Sequence, residues 1–340
     1  MKKILAFALG AMLLASCAPE KNVYLFTSFL EPSVSGMNYL YSLDGYHWEP
    51  IGDVWLVPQI GNDKPYINRF NGQEQIPKYM PTRVLRDPSI LQGPDGTFHL
   101  VWTTQWSGSR GFGYASSKDL IHWSEQREIP VMADSLTNNV WAPELFYDDE
   151  EKEFYVIWSS QIHPSRYTEL DRLGTNACHR PYYTKTKDFK TFTPAKQFYD
   201  AGFNTIDGFL VKKAKDDYVF VVKDNRKPGF SNIFCVYGKS PEGPFSDPCE
   251  PFSPEYSEGP CVIKVGDEWL IYYDVYRQVR YGAVSTKDFK TFTPIDDKIS
   301  IPNGYKHGTM IKITKRQLEA LKKAAAVQPP AVHPIVSDQS

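Results

Sequence analysis

Short apolar runs alternate with polar turns along most of the chain, and the runs carry a period of two rather than a helical one. Asp87-Pro88-Ser89-Ile90 leads through a turn to Gly96-Thr97-Phe98-His99-Leu100-Val101-Trp102. Ala142-Pro143-Glu144-Leu145-Phe146 leads to Glu153-Phe154-Tyr155-Val156-Ile157-Trp158. Asp207-Gly208-Phe209-Leu210-Val211 leads to Asp217 through Val222, and Gly259-Pro260-Cys261-Val262-Ile263 to Asp267 through Tyr273. Each pair reads as a β-hairpin. A second repeat follows each hairpin. Thr186-Lys187-Asp188-Phe189-Lys190-Thr191-Phe192-Thr193-Pro194 recurs unchanged from Thr286 to Pro294. Looser copies run Ser42 to Trp48 and Ser117 to Trp123, and a degenerate one spans Ser240 to Phe245. Each copy closes an apolar run with a polar turn and then an aromatic, which predicts a third strand, a tight turn and an outer strand whose ring plugs a gap between units.

Units of about 45–75 residues with four strands each read as propeller blades. Four begin near Asp87, Ala142, Asp207 and Gly259. Gly308 to Ile313 looks like an innermost strand without outer partners, and Val23 to Ser28 and Met37 to Ser42 look like middle strands without an inner one. Joining them gives an all-β, five-bladed β-propeller whose ring is closed by N- and C-terminal strands sharing one blade, which leaves no free sheet edge at the seam. The propeller is expected over residues 23–314. Gln317 to Ala326 reads as a short helix, and residues 315–340 as that helix and a frayed tail.

The first residues read as a targeting segment. Lys2 and Lys3 precede an apolar run, Ile4 to Ala15, that ends Leu14-Ala15-Ser16-Cys17. This resembles a bacterial lipoprotein signal over residues 1–16, with Cys17 lipidated and 17–22 as linker; an ordinary secretory signal is the other reading. A lipid on Cys17 would be the protein's sole hold on a membrane, and would place it in the periplasm or at the outer membrane. Four cysteines remain, Cys178, Cys235, Cys249 and Cys261. Their even number permits bridges, their spacing matches no zinc pattern, and Cys235 and Cys261 lie in apolar runs where buried free thiols are expected. A net charge of −2 with no basic stripe argues against a nucleic-acid partner; a monomer is expected. Aromatics reach 14%, a supply for inter-blade packing and for sugar faces alike.

In a propeller the start of each innermost strand lies by the central channel. Asp87, Asp207 and Glu258 occur at such starts, and read together they share one blade position. Crowded carboxylates raise at least one pKa, which supplies a protonated acid beside an ionised base. Each acid alone is an ordinary turn residue; recurrence carries the signal. Trp106 and Trp141 could line a sugar pocket or plug the core. Asp224 and Arg277 follow inner strands and are candidates for binding hydroxyls or surface residues. Glu144 is a fourth acid near the axis, read as structural or substrate-contacting.

The order Arg86-Asp87-Pro88, Trp141-Ala142-Pro143-Glu144, Ile206-Asp207-Gly208, Ser257-Glu258-Gly259-Pro260 and His307-Gly308-Thr309 resembles glycoside hydrolase family 43, over about Val23 to Ile313. The resemblance implies an inverting glycosidase, with Asp87 as general base, Asp207 as the aspartate that tunes and orients the acid, and Glu258 as general acid. Gly208 departs from the proline common after the middle aspartate. It is closest to the branch of gut bacteroidetes that digests plant arabinogalactans, which implies exo-acting removal of terminal α-L-arabinofuranosyl units, with galactofuranosidase, β-xylosidase and exo-galactanase activities elsewhere in the family. No cofactor is required; in relatives a histidine at the place of His307 helps hold a calcium ion or a water near the axis, and a hydrogen-bonded structural role is the alternative. Inversion would set the Asp87 and Glu258 carboxyls roughly 6.5–9.5 Å apart. A non-catalytic glycan-binding lipoprotein would have lost one of the three acids. Kelch and WD propellers lack acids at successive inner strands. Retaining propeller enzymes acting on fructosides share Arg-Asp-Pro but carry Asn-Asp-Pro-Asn-Gly and Glu-Cys motifs absent here.

Overall fold

A computed structural model describes residues 22–61, 66–67, 74–75, 83–133, 137–172 and 178–328. The expected lipoprotein signal, Cys17 and the tail beyond 328 lie outside them. Five antiparallel sheets stand around a common axis. From the axis outward, the first blade holds Met310–Ile313, Val23–Phe29, Met37–Ser42 and Glu49–Leu56. The second holds Arg86–Gln92, Phe98–Thr103, Gly111–Ser117 and Arg127–Pro130; the third, Trp141–Asp148, Glu153–Gln161, His179–Thr186 and Lys196–Gln197. The fourth has three strands, Thr205–Ala214, Asp217–Asp224 and Ile233–Gly238, and the fifth has Ser257–Val265, Glu268–Val275, Arg280–Thr286 and Thr293–Pro294. A two-strand ribbon, Tyr66–Ile67 with Glu74–Gln75, stands apart from the five. The five-bladed propeller closes as the sequence predicts, with Met310 paired to Phe26 and Ile313 to Val23 across the seam.

The fourth blade departs from the four-strand expectation. Its outer segment runs beside Ile233–Gly238 but makes only isolated backbone bonds, Ser246 N–H to Tyr237 O, Cys249 N–H to Cys235 O and Phe252 N–H to Ile233 O. Pro248, Pro251 and Pro254 interrupt this segment, and a residue without an N–H cannot sustain a ladder. The four described cysteines are free thiols, Cys178, Cys235 and Cys261 buried and Cys249 partly so.

The repeated turn owes its form to two side chains. In each full copy the first hydroxyl accepts from the N–H three residues on (Ser42 from Gly45, Ser117 from Leu120, Thr186 from Phe189, Thr286 from Phe289). The aspartate two residues after it accepts from the N–H groups two and three residues beyond itself. The fourth residue of each copy is thereby held at positive φ, and its carbonyl faces the preceding blade. There it accepts a hydrogen bond: Gly45 from Tyr272, Leu120 from Tyr39, Phe189 from Arg127 and Phe289 from Tyr237. The same turns push Leu120, Phe189 and Phe289 into complete burial.

Five apolar clusters fill the fold, one between each pair of neighbouring blades. The helix Lys315–Ala325, begun by a Thr314–Gln317 capping box, inserts Leu318 and Leu321 into the cluster shared by the first and second blades. It starts two residues before the expected Gln317.

Candidate active site

Four inner strands break register at one place. The ladders skip between Arg86 and Ser89, Trp141 and Glu144, Ile206 and Phe209, and Glu258 and Cys261. The second residue of each bulge takes positive φ: Asp87 (52°), Ala142 (45°), Asp207 (53°) and Gly259 (56°). Such bulges re-aim side chains, and left-handed backbone at non-glycine residues concentrates at functional sites. Here they split the axis into two levels. The first residues, Arg86, Trp141, Ile206 and Glu258, all line an outer cavity of about 150 Å³ together with Thr103 and Trp106. The second residues line a cleft of about 20 Å³ below it, room for about one water, with Glu144 at its wall. Asp87, Asp207 and His307 border both. The three acids singled out from the sequence therefore meet, but not at one blade position. Glu258 precedes its bulge residue and is equivalent to Arg86 and Trp141; Gly259 is the equivalent of Asp87 and Asp207.

Each carboxylate has its own surroundings. Asp87 Oδ2 accepts from Thr103 Oγ1 at 2.7 Å, and Oδ1 lies 2.8 Å from His307 Nε2. Burial pushes the Asp87 carboxyl up, but His307, Arg86 and Thr103 together bring it below the usual carboxylate range. Asp207 accepts from the Gly259 N–H at 3.1 Å. Burial, with Glu258 and Asp87 adding to it, pushes Asp207 up against the pull of His307 and Lys223. Glu258 Oε2 meets the Lys223 ammonium at 3.0 Å; burial raises this carboxyl, and Lys223 followed by His307 brings it below its ordinary value. One acid of the three is lifted, and it is Asp207, chiefly by burial with Glu258 and Asp87 adding to it, whereas Glu258, the acid the resemblance implies, is lowered. Below them, burial lifts Glu144 to about 8, and Thr309 Oγ1 donates to both its oxygens at 3.0 and 3.3 Å.

The second strands supply residues that sequence reasoning missed. Thr103, Lys223 and Asp274 stand opposite Arg86, Ile206 and Glu258 in their ladders. Each reaches the next blade: Thr103 Oγ1 accepts the Ala142 N–H at 2.8 Å, Lys223 binds Glu258, and Asp274 accepts from Lys306 Nζ at 3.0 Å. The available signal was position, since each immediately follows the apolar run of its hairpin.

Trp106 and Trp141 both wall the outer cavity. Trp141 Nε1 donates to the Trp106 carbonyl at 2.8 Å, and its ring stacks on His179 with centroids 4.7 Å apart. The Trp106 ring lies 3.9 Å from the Arg86 guanidinium, which Glu31 binds at 2.6 Å. Asp224 and Arg277 are not among the lining residues. The Asp224 carboxylate is forked by Arg226 at 2.6 and 3.1 Å, and Arg277 lies exposed, 3.4 Å over the Tyr256 ring.

A calcium ion does not fit the donors present. Glu258, Asp274 and His307 bring ligand atoms within 4.8 Å of one another, but Lys223 and Lys306 already neutralise the two carboxylates and His307 is committed to Asp87. Calcium takes six to eight oxygens, and a nitrogen with two cation-paired carboxylates is not such a set. His307 borders the cavity beside Asp87. It packs against the Phe29 ring at 6.0 Å, and a Cβ on Gly259 would lie 2.1 Å from its ring. Among the described residues no helix is long and apolar enough to cross a membrane.

A family model described as a probable glycosyl hydrolase domain, glycosyl hydrolase 43-related, matches residues 22–319. An α-L-arabinofuranosidase of Bifidobacterium longum subsp. longum is 26% identical over 209 residues, 55% of this chain and 19% of that protein. The chain thus spans about a fifth of that curated relative. Among solved structures, Bacteroides ovatus xyloglucan PUL GH43B superposes with a TM-score of 0.53 at 17% identity, over 86% of this chain and 55% of that one. A thermostable family-43 glycoside hydrolase gives 0.50 at 16% identity, over 66% and 78%. At these identities the structures share the fold.

Proposed function

The chain belongs to the glycosyl hydrolase 43-related family, and from that premise we propose that it removes terminal α-L-arabinofuranosyl units from plant polysaccharides such as arabinogalactan, acting from the chain end and with inversion. One observation carries the reading: Asp87, Asp207 and Glu258 border a single small cavity walled by Trp106 and Trp141. About 150 Å³ is well below the roughly 300–1,000 Å³ of pockets for drug-sized ligands, a size for one sugar ring rather than a run of them. The arabinofuranosidase relative supports the choice of sugar.

The chemistry divides among the three acids. Asp87, kept ionised by His307 and Thr103, takes a proton from a water whose oxygen bonds to the anomeric carbon. The glycosidic bond breaks, and the leaving oxygen receives the proton of Glu258. Asp207, tied to the Gly259 N–H beside Glu258, orients the acid. A lipid on Cys17 would hold the enzyme at a membrane with the cavity free to meet carbohydrate. A second reading, glycan binding without turnover, draws support from the Lys223–Glu258 ion pair, which opposes a proton on Glu258.

The test is hydrolysis of aryl α-L-arabinofuranoside, β-D-galactofuranoside, β-D-xyloside and β-D-galactoside by the protein and by Glu258→Gln, with the anomer first released followed by NMR. Turnover of the arabinofuranoside alone, with inverted product and loss in the variant, is expected. Turnover of another sugar reassigns the substrate. Silence on the panel and on arabinogalactan favours the binding protein.

A further inference from the structure

Lys223 is an unusual residue to find at this depth. Its side chain is 2% exposed, and a buried ammonium is costly unless paired. It stands in the second strand of the fourth blade, opposite Ile206 and so next to the bulge that presents Asp207. From there Nζ crosses to the fifth blade and meets Glu258 Oε2 at 3.0 Å, 4.9 Å from the Tyr276 ring. Thr103 occupies the equivalent place in the second blade, where it binds Asp87. The fold thus uses one second-strand position to hold a carboxylate of the cavity, once with a neutral hydroxyl and once with a cation.

We propose that Lys223 is a positioning residue for the acid step, fixing the Glu258 carboxyl from the neighbouring blade and governing when it carries a proton. The inference rests on Glu258 being the acid of the reaction proposed above. Among the described residues, Arg86 shares the cavity with Glu258. Lys223 and Asp207 face it from the fourth blade, His307 from the first, Asp87 from the second, and Asp274 is its ladder partner in the fifth. Tyr281 lies in the same sheet and Tyr276 beside the ammonium. Asp274 is answered by Lys306 and Asp87 by His307, which leaves Lys223 as the cation in direct contact with Glu258 among the described residues. A carboxyl so held is a strong donor and a rarely protonated one. Such an acid suits a poor leaving group, a sugar alcohol, and favours turnover on the acidic side of neutrality.

The experiment follows the carboxyl itself. Protein carrying ¹³C at glutamate Cδ is titrated by NMR, with Glu258→Gln assigning the signal, in wild type, Lys223→Met and Lys223→Arg. The Glu258 signal is expected to titrate below the ordinary glutamate range in wild type and in Lys223→Arg. In Lys223→Met it should rise by about 1–3 pH units, the effect of an adjacent opposite charge. The alkaline limb of kcat/KM should move up by the same amount in Lys223→Met and stay in Lys223→Arg. A wild-type Glu258 that titrates at or above the ordinary range overturns the proposal without any variant, as does an unmoved signal in Lys223→Met. A shifted signal in a protein that hydrolyses nothing upholds the hold of Lys223 on Glu258 and removes the hydrolase reading instead.

Discussion

His307 Nε2 lies 2.8 Å from Asp87 Oδ1, a contact that joins the lead-in to the last strand of the propeller to the first bulge of the second blade. The pair is close but poorly aligned for a hydrogen bond, so its strength is chiefly that of opposite charges. Burial works against the imidazolium, yet Asp87, Asp274 and Asp207 keep His307 protonated well above its usual range. His307→Gln removes the cation and lets the Asp87 pKa rise. A base works only when ionised, so the acid limb of the kcat/KM profile should move up by about 1–3 pH units, and a pH–rate series against wild type reads it. An unmoved acid limb would mean that another group is the base.

Removing the base itself is a harsher change. Asp87→Asn keeps the shape and the bond from Thr103 and loses the proton acceptor, and kcat should fall by about 10²–10⁴-fold. Equal residual activity in Asp87→Asn and wild type, in steady-state assays, would exclude the assignment.

Gly259 cannot become alanine without strain. Its φ is +56° and an added Cβ would meet His307 at 2.1 Å. The Gly259→Ala variant should lose on the order of 3 kcal/mol of stability, from backbone strain and overpacking together. Gly229→Ala is the control, with positive φ and nothing within 4 Å of the new carbon, and should lose about 1 kcal/mol. Denaturant unfolding of the two variants compares them.

Glu144 gives the fold a pH dependence of its own. Its carboxyl ionises near its ordinary value of 4.5 when unfolded and at about 8 when folded. Between those values the folded protein binds the extra proton, so stability declines as pH rises through the interval. Glu144→Gln, neutral throughout, should show a flatter melting temperature from pH 5 to 9 and exceed wild type at the upper end. Parallel curves would show that Glu144 is already ionised in the fold.

Trp141 offers a ring to the cavity from a stack on His179. Trp141→Leu should raise KM about tenfold, the worth of one good ring contact, with a smaller effect on kcat. A change in kcat alone would make the ring a plug between blades.

The propeller was legible because its hairpins repeat in sequence as they do in space, down to the hydroxyl and aspartate that shape each turn. The cavity acids were legible by recurrence, but the alignment slipped by one at Glu258. The eye matches acids, whereas the backbone matches bulges, and the bulge residue there is Gly259. The same one-residue resolution separates Asp224 from Lys223. Neighbours on a strand point to opposite faces, so the acid chosen from the sequence turns away to Arg226 while the lysine before it reaches Glu258. Arg277 fails likewise, three residues beyond Asp274 and already in the following turn. Side-chain partners across blades, such as Thr103 with Ala142, depend on how one sheet is rotated against the next, which no local pattern encodes.

The seam in the first blade ties assembly to competence. The strand that shuts the ring is preceded by His307, so a propeller left open at that seam also lacks the counter-ion of Asp87. Partly folded chains with the other four blades finished would hold all three cavity acids and the Lys223–Glu258 pair but not the cation that answers Asp87, and a base ionised by that cation would arrive only with the final strand pairing.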